Sequence, residues 1–350
     1  MVGPDGSLPL PWLAATLHEA LDTRRAHALL LQGPRGVGQF ELAMSLAQAW
    51  LCEATPGSAE PRPCGRCASC RLVQARSHPD LLVLLPEAPR ESLGWEGGDS
   101  DSSGSDRADG AKASKSAKTS KPSKEIKVEA VRAAVAFAQI TTARGRCKVV
   151  VVHPAERMNE VSANTLLKTL EEPPGSARFV LACSEPDALL ATIRSRCQVL
   201  PMRLPPTDLA LQWLIQHAVA DPTVMLAAVG GQPQEALEWV KQGVDAAQWT
   251  RLPAAVVRGE AAMLVTWPLP RVVDALQKLC HDASCLAVGA PPRYFPLAAL
   301  PAPAQALPLF EWSRELARVS RHAEHPWNAT LMIESLVQQG QRALSSVSRR

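Results

Sequence analysis

Residues 148–197 read KVVVVHPAERMNEVSANTLLKTLEEPPGSARFVLACSEPDALLATIRSRC. The four valines at 149–152 predict a strand that is buried on both faces of a parallel sheet. Apolar residues then recur at helical spacing from 163 to 170, and the prolines within 171–174 are expected to end that helix. A second apolar run at 179–183 predicts the next strand. Strand, helix and strand together indicate a right-handed crossover of an α/β sheet.

The residues at the ends of these elements form a distinctive combination. The helix ends in LLKTLEEPP at 166–174, and Ser195-Arg196-Cys197 follows about twenty residues later. This combination resembles the clamp-loader branch of the AAA+ ATPases, whose members load the sliding clamp of bacterial DNA polymerase III. The resemblance extends from residue 11 to residue 328, apart from one inserted segment.

The resemblance implies a fold and a division into domains. An α/β AAA+ (P-loop NTPase-like) parallel-sheet domain at 1–204 would carry a zinc module at 52–70. A small helical lid domain at 205–250 and an all-α collar domain for oligomerisation at 251–350 would follow. The apolar spacing supports helices at 209–219 and a helical pair within 309–344.

Composition restricts the class of protein. With 350 residues and 46% hydrophobic content, the chain can bury a sizeable core and has room for two or three domains. A net charge of +3 argues against a surface that is basic throughout, as nonspecific DNA binding would require. The sequence contains no apolar run of membrane-spanning length and no secretory signal, so we expect a cytoplasmic protein without membrane contact.

A glycine-rich loop lies near the amino terminus. The apolar strand at 28–31 runs into Gly33, Gly36 and Gly38, and an amphipathic helix at 42–51 follows. Strand, glycine loop and helix form the context of a P-loop, whose backbone N–H groups cradle phosphates.

The side chains that this chemistry requires are missing. Gln39 replaces the lysine that neutralises phosphate, and Phe40 replaces the Ser or Thr that binds magnesium. After the strand at 149–152, His153 and Pro154 stand where an aspartate should hold the metal. We therefore expect no ATP hydrolysis and no cofactor at this degenerate loop, although weak nucleotide binding stays open. The alternative is an active AAA+ ATPase with an atypical nucleotide site.

Four cysteines cluster in sequence at Cys52, Cys64, Cys67 and Cys70. Two overlapping CxxC steps bring three thiolates together, and the fourth can close a tetrahedral shell, so the spacing predicts a structural Zn²⁺ site. Four unrelated thiols, a redox dithiol and a zinc-dependent nucleic-acid enzyme are the alternatives, and the last would require an open metal position. The five remaining cysteines are expected to be buried core residues: Cys147, Cys183, Cys197, Cys280 and Cys285.

Residues 86–124 interrupt the resemblance. Their first half is rich in Asp and Glu and their second half in Lys, with few apolar residues. Such a segment cannot bury enough apolar area to order itself, so we expect a disordered insertion. The lysines could contact DNA phosphates, but a solvated linker is favoured.

The resemblance gives Arg196 the main functional role. In the family, Ser-Arg-Cys lies at a subunit boundary, where the arginine reaches ATP bound by the neighbouring subunit and stabilises the transition state. Ser195 and Cys197 would position it, and the alternative is a surface arginine in an ordinary salt bridge. The chain would thus be a noncatalytic subunit of the DNA polymerase III holoenzyme. Its implied partners are the gamma/tau motor subunits, the delta subunit, the β sliding clamp and primer-template DNA.

Overall fold

The computed structural model divides the chain into two compact units, residues 1–204 and 205–350. It describes residues 1–22, 27–55, 62–87, 90, 93, 95, 123–302, 304–322 and 328–345. Most of the 86–124 insertion lies outside the described residues, so the expectation of disorder there stays untested. No helix in the described ranges is long and apolar enough to cross a membrane.

The first unit is built on a five-stranded parallel sheet with the order β2-β3-β4-β1-β5. The strands are β1 Ala28–Gln32, β2 Leu81–Leu84, β3 Val149–Val152, β4 Arg178–Cys183 and β5 Gln198–Pro201. All four valines of β3 are fully buried, as expected of a strand covered on both faces. The parallel α/β architecture predicted from the sequence is therefore confirmed.

Six α-helices accompany this sheet in the described part of the unit. They are α1 Ala14–Asp22, α2 Gln39–Leu51, α3 Ala68–Gln74, α4 Val128–Gln139, α5 Glu160–Glu171 and α6 Ala191–Arg194. Helix α5 forms the crossover between β3 and β4. The Asn159 side chain accepts a hydrogen bond from the Ser162 N–H and caps its first turn. Leu166 and Leu170, one helical turn apart, are fully buried against the sheet core.

The parallel topology brings the carboxyl ends of three adjacent strands to one edge of the sheet. Strand β1 leads into the glycine loop, β3 into His153 and β4 into Ser184. Residues far apart in sequence, such as Gln39 and Ser184, which are 145 positions apart, therefore meet at this edge.

The second unit is entirely helical in its described residues. Its helices are α7 Thr207–Gln216, α8 Pro222–Ala228, α9 Pro233–Lys241, α10 Ala246–Arg258, α11 Leu269–Ala287, α12 Ala306–Arg321 and α13 Ala329–Ser345. Helices α12 and α13 pack closely, since a Cβ on Gly340 would lie 2.5 Å from the Trp312 ring. The Trp312 indole N–H donates to the Leu336 carbonyl at 3.1 Å.

Two helix boundaries in this unit differ from those expected. Helix α7 ends at Gln216 rather than at 219. Helix α12 begins at Ala306, so Pro308 lies in its first turn, where the missing N–H of proline costs no helical hydrogen bond. Residues 325–327, between the last two helices, lie outside the described residues. The division of this unit into a lid and a collar stays a prediction.

Candidate functional site

Two glycines of the loop after β1 are required by the packing around them. A Cβ on Gly33 would lie 2.5 Å from the Met202 carbonyl oxygen. Gly38 has a left-handed φ of 99°, and a Cβ there would lie 2.4 Å from Leu10 Cδ1. The Trp12 indole N–H also donates to the Val37 carbonyl at 2.8 Å. The packing of the first unit thus requires glycine at positions 33 and 38 of this loop.

The Gln39 side chain closes this loop from within. It is only 4% exposed, and its amide nitrogen donates to the carbonyls of Gly33 at 2.7 Å and Pro34 at 2.5 Å. The Ser184 hydroxyl lies 3.4 Å from the same nitrogen. A lysine at this position would extend a charge towards a bound phosphate, whereas the neutral Gln39 amide donates its hydrogen bonds to the loop itself.

Aromatic rings stand at the two positions that carry magnesium ligands in the P-loop consensus. The Phe40 ring lies 5.1 Å from the His153 ring and 6.4 Å from the Trp95 ring, between centroids. Burial lowers the pKa of His153 to about 4, so this side chain is neutral near pH 7. Neither Phe40 nor a neutral histidine replaces the hard oxygen ligands that magnesium prefers.

The four clustered cysteines come together beside the amino end of α3. Their sulfur atoms all lie within 4.8 Å of one another, and the Cys64–Cys70 and Cys52–Cys67 sulfur pairs are 4.0 Å apart. A tetrahedron with four zinc–sulfur bonds of about 2.3 Å has sulfur–sulfur edges of about 3.8 Å. The described cluster thus has the size and the donor set of a closed tetrahedral thiolate site.

Backbone N–H groups point at these sulfur atoms. The Cys67 N–H donates to Cys64 Sγ at 3.4 Å, and the Cys70 N–H donates to Cys67 Sγ at 3.4 Å. Burial raises the pKa of Cys64, but the N–H groups of Arg66 and Cys67 and the neighbouring thiols outweigh it and lower that pKa to about 7. The surroundings therefore favour a thiolate at Cys64, which is the form that binds a metal.

A polar network joins the cysteine cluster to the sheet. The Arg144 guanidinium pairs with the Glu53 carboxylate at 2.6 Å and donates to the Ser69 hydroxyl at 3.0 Å. The Arg144 backbone N–H donates to Asp80, which forms a buried ion pair with Lys148 at 2.9 Å. Sequence reasoning missed this network because its members are far apart in the chain and belong to no motif.

One of the five scattered cysteines corrects the expectation that all are buried. Cys285 is partly exposed on α11, where its sulfur lies 3.8 Å from His281 Nδ1. The other four are buried: Cys147, Cys183, Cys197 and Cys280. Burial raises the pKa of each of these four thiols.

Arg196 lies on the turn between α6 and β5, and its side chain is 32% exposed. Its Nε atom donates to the Glu171 carboxylate at 2.5 Å. Its Nη1 atom donates to the Thr192 carbonyl at 3.0 Å and to the Ser195 hydroxyl at 3.3 Å. Cys197 is buried, which raises its pKa to about 12 and leaves a structural role rather than that of a nucleophile.

The structure thus places the predicted site residues in three groups. The loop residues lie together at the carboxyl edge of the sheet, the four cysteines form one cluster, and Ser195 contacts Arg196 directly. Glu171 and Trp95 were not predicted to take part, because their contacts arise only when separate segments pack together.

Comparison with known proteins identifies the family. The family model described as DNA polymerase III, delta subunit, matches residues 12–206. DNA polymerase III subunit delta' of Escherichia coli K12 is 30% identical over 290 residues, which cover 77% of this chain and 76% of that protein. The corresponding Pseudomonas aeruginosa subunit is 36% identical over 240 residues, which cover 67% and 62% of the two chains.

A more distant relative and one solved structure extend the comparison. DNA polymerase III subunit tau of E. coli is 32% identical over 171 residues, which cover 49% of this chain and 20% of that protein. A gamma subunit-related protein from Thermotoga maritima covers 94% of this chain and 99% of its own, at 17% identity and a TM-score of 0.47. The sequence matches over most of the chain show that it belongs to the AAA+ clamp-loader family of bacterial DNA polymerase III delta-prime subunits.

Proposed function

We propose that this clamp-loader subunit does not hydrolyse ATP itself and supplies Arg196 in trans to ATP held by a neighbouring motor subunit. Its role would be to help load the β sliding clamp onto primed DNA during replication. The observation that carries the absence of hydrolysis is the closed loop, in which the Gln39 amide donates to the carbonyls of Gly33 and Pro34.

The chemistry of the loop supports the absence of hydrolysis. Phosphoryl transfer needs a cation on the β- and γ-phosphates and a coordinated magnesium ion. Gln39 has no charge, and Phe40 and His153, which stand at the two consensus positions for magnesium ligands, pack against each other with their rings tilted by 36°. A chain without these groups can still assist hydrolysis if it contributes a charge to a neighbour's site.

Arg196 is the group that would make this contribution. Its side chain is 32% exposed at the surface of the first unit, and the chain on either side of it is anchored by the buried Ile193 and Cys197. A planar, permanently charged guanidinium matches the geometry of phosphate oxygens. Arginines that reach a neighbour's phosphates in this way raise hydrolysis by about 10³–10⁵-fold.

The cysteine cluster would hold a structural Zn²⁺ ion. Four sulfur ligands complete the tetrahedral shell and leave no position for a reacting water, which argues against zinc catalysis. The ion would fix the segment between α2 and α3, and the Arg144 network would transmit that rigidity to the sheet.

The remaining parts of the proposal concern assembly. Residues 205–250 would form the lid and 251–350 the collar that joins the gamma/tau motor subunits and the delta subunit in a ring. The β clamp and primer-template DNA would be met through that complex, in the cytoplasm. Sequence similarity to both delta-prime and tau subunits supports a place among related ring members.

The experiment measures ATP hydrolysis by the motor-subunit complex with clamp and primed DNA, reconstituted with wild-type chain or with Arg196→Ala. We expect a fall of at least about 10³-fold at the site that this arginine serves. Arg132→Ala, an exposed arginine on α4, is the matched control and should behave as wild type. If the complex assembles with Arg196→Ala and hydrolysis is unchanged, Arg196 has no role in trans.

A further inference from the structure

We propose that Glu171 is a positioning residue that orients the Arg196 guanidinium for its contact with the neighbour's ATP. This inference rests on the proposed function, because it concerns how the arginine is held. It assigns a role to the last residue of α5, which lies 25 positions before Arg196 in the sequence.

The contacts restrain the guanidinium from two sides. Glu171 Oε1 accepts hydrogen bonds from Nε, at 2.5 Å, and from Nη2. The Thr192 carbonyl and the Ser195 hydroxyl accept from Nη1, at 3.0 Å and 3.3 Å. All three nitrogen atoms therefore have an acceptor, and the plane of the group is fixed without burying it, since 32% of the side chain stays exposed.

The fold holds both ends of this pair firmly. Leu170, next to Glu171, and Ile193, three residues before Arg196, are both fully buried in the same core cluster. Helices α5 and α6, which carry these two residues, pack against each other in that core. The carboxylate is thus presented from a rigid helix end, as an accurate positioning contact requires.

The exposure of the pair indicates what it is for. The Glu171 side chain is 47% exposed, and ion pairs this open to water contribute little to folding stability. An unrestrained arginine, by contrast, has many rotamers to lose when it meets a phosphate. Holding it in one orientation beforehand lowers that cost in the transition state, so the contact serves catalysis more than folding.

The carboxylate also has an opposing effect, since its negative charge repels an approaching phosphate. Glu171→Gln separates the two contributions, because the amide keeps an acceptor oxygen and removes the charge. Glu171→Ala removes both. If positioning dominates, the glutamine variant retains activity that the alanine variant loses.

The test is a double-mutant cycle in the reconstituted motor complex with clamp and primed DNA. The variants are Glu171→Ala, Glu171→Gln, Arg196→Ala and the double alanine variant. Glu172→Ala is the matched control, since Glu172 is the adjacent exposed acid and has no ion pair among the described residues. Assembly of each complex is checked by gel filtration, and kcat and KM for ATP are measured separately.

We expect Glu171→Ala to lower kcat about tenfold with an unchanged KM, and Glu171→Gln to stay within about threefold of wild type. The double variant should match Arg196→Ala, because Glu171 acts through the arginine. If Glu171→Ala does not assemble, Glu171→Asp, which withdraws the carboxylate by one methylene, should show the same fall in kcat.

The outcomes that contradict the two proposals are distinct. Wild-type rates with Arg196→Ala would overturn the proposed function and this inference with it. A large fall with Arg196→Ala beside wild-type rates with Glu171→Ala, or with its aspartate substitute, would overturn the positioning role alone. A double variant clearly slower than Arg196→Ala would show that Glu171 acts independently of the arginine, which also overturns it.

Discussion

The ring of Phe40 lies 5.1 Å from the ring of His153, although 113 positions separate the two residues in the chain. One residue stands at the magnesium-binding position of the loop, and the other follows β3, where an acidic residue would hold the metal. The two departures from the consensus therefore lie side by side, and the two rings pack against each other there.

This arrangement predicts that repairing the loop alone will not restore an ATPase. The double variant Gln39→Lys, Phe40→Thr regains the loop consensus but still lacks a carboxylate after β3. We expect no ATP turnover by the isolated variant, and some loss of stability from removing the Phe40 ring. Turnover above that of wild-type chain, measured by phosphate release with the motor subunit as positive control, would contradict the prediction.

The pH dependence of stability should carry a contribution from His153. Its folded pKa is about 4 because of burial, below the ordinary value of 6.5. The neutral form is therefore favoured in the folded state. The contribution of neutral His153 to the free energy of unfolding is fully present above pH 6.5 and is lost as the pH falls to 4. The loss is at most about 3 kcal/mol in the free energy of unfolding.

The matched variant for this prediction is His153→Phe, which keeps an aromatic ring and cannot titrate. Urea unfolding of both proteins between pH 7 and pH 4 gives their free energies of unfolding. The other titrating groups are the same in both proteins, so their effects cancel in the difference. Wild type should lose more stability than the variant over this range. Parallel pH profiles would show that His153 titrates as freely in the folded chain as in the unfolded one.

The sequence was sufficient to predict those features that leave a local pattern of their own in the chain. The valine run at 149–152 and the apolar run at 179–183 gave the crossover strands, because burial on both faces leaves a continuous apolar signal. The spacing of the four cysteines indicated their cluster, because a metal site constrains sequence spacing directly.

The contacts that sequence reasoning missed depend on tertiary packing. Nothing near Glu171 or Arg144 in the sequence indicates their partners. Glu171 pairs with Arg196 and Arg144 with Glu53, and each pair meets only when distant segments of the chain pack together. Cys285 was expected in the core because free cysteines usually are buried, yet its position on α11 leaves it partly exposed. The contacts and exposure of such single side chains leave no periodic pattern in the sequence.

The buried pair of Asp80 and Lys148 should be costly to break. Their side chains are 0% and 6% exposed, and the N–H groups of Ala143 and Arg144 also donate to the Asp80 carboxylate. Lys148→Met leaves that carboxylate buried without its cation, so we expect a loss of about 3–5 kcal/mol in the free energy of unfolding.

The exposed pair of Lys127 and Glu87 provides the control for this prediction. Its side chains are 58% and 44% exposed, and Lys127→Met should cost no more than about 1 kcal/mol. Denaturant unfolding of the two methionine variants compares them directly. Equal losses would mean that the buried pair gains nothing from its burial and its backbone donors.

Thiol labelling tests the metal site and the exposure of Cys285 together. In the native protein, Cys285 is partly exposed, whereas burial protects the other four scattered cysteines and holds their pKa values above the ordinary range. A zinc ion would also cover the four clustered sulfur atoms, so with zinc bound, intact-mass analysis after brief treatment with iodoacetamide should find one adduct on the wild type and none on Cys285→Ser.

The clustered cysteines make this measurement specific for a bound ion. Cys67 is partly exposed, so without a metal its thiol should be alkylated readily at pH 7.5, whereas Cys64, whose pKa is about 7, is shielded by its burial. A zinc ion would protect all four sulfur atoms, and a strong chelator should release zinc, add adducts at the cluster and lower the melting temperature. Rapid labelling of Cys67 in protein that was never exposed to a chelator would instead show that the four thiols are packed together without a metal.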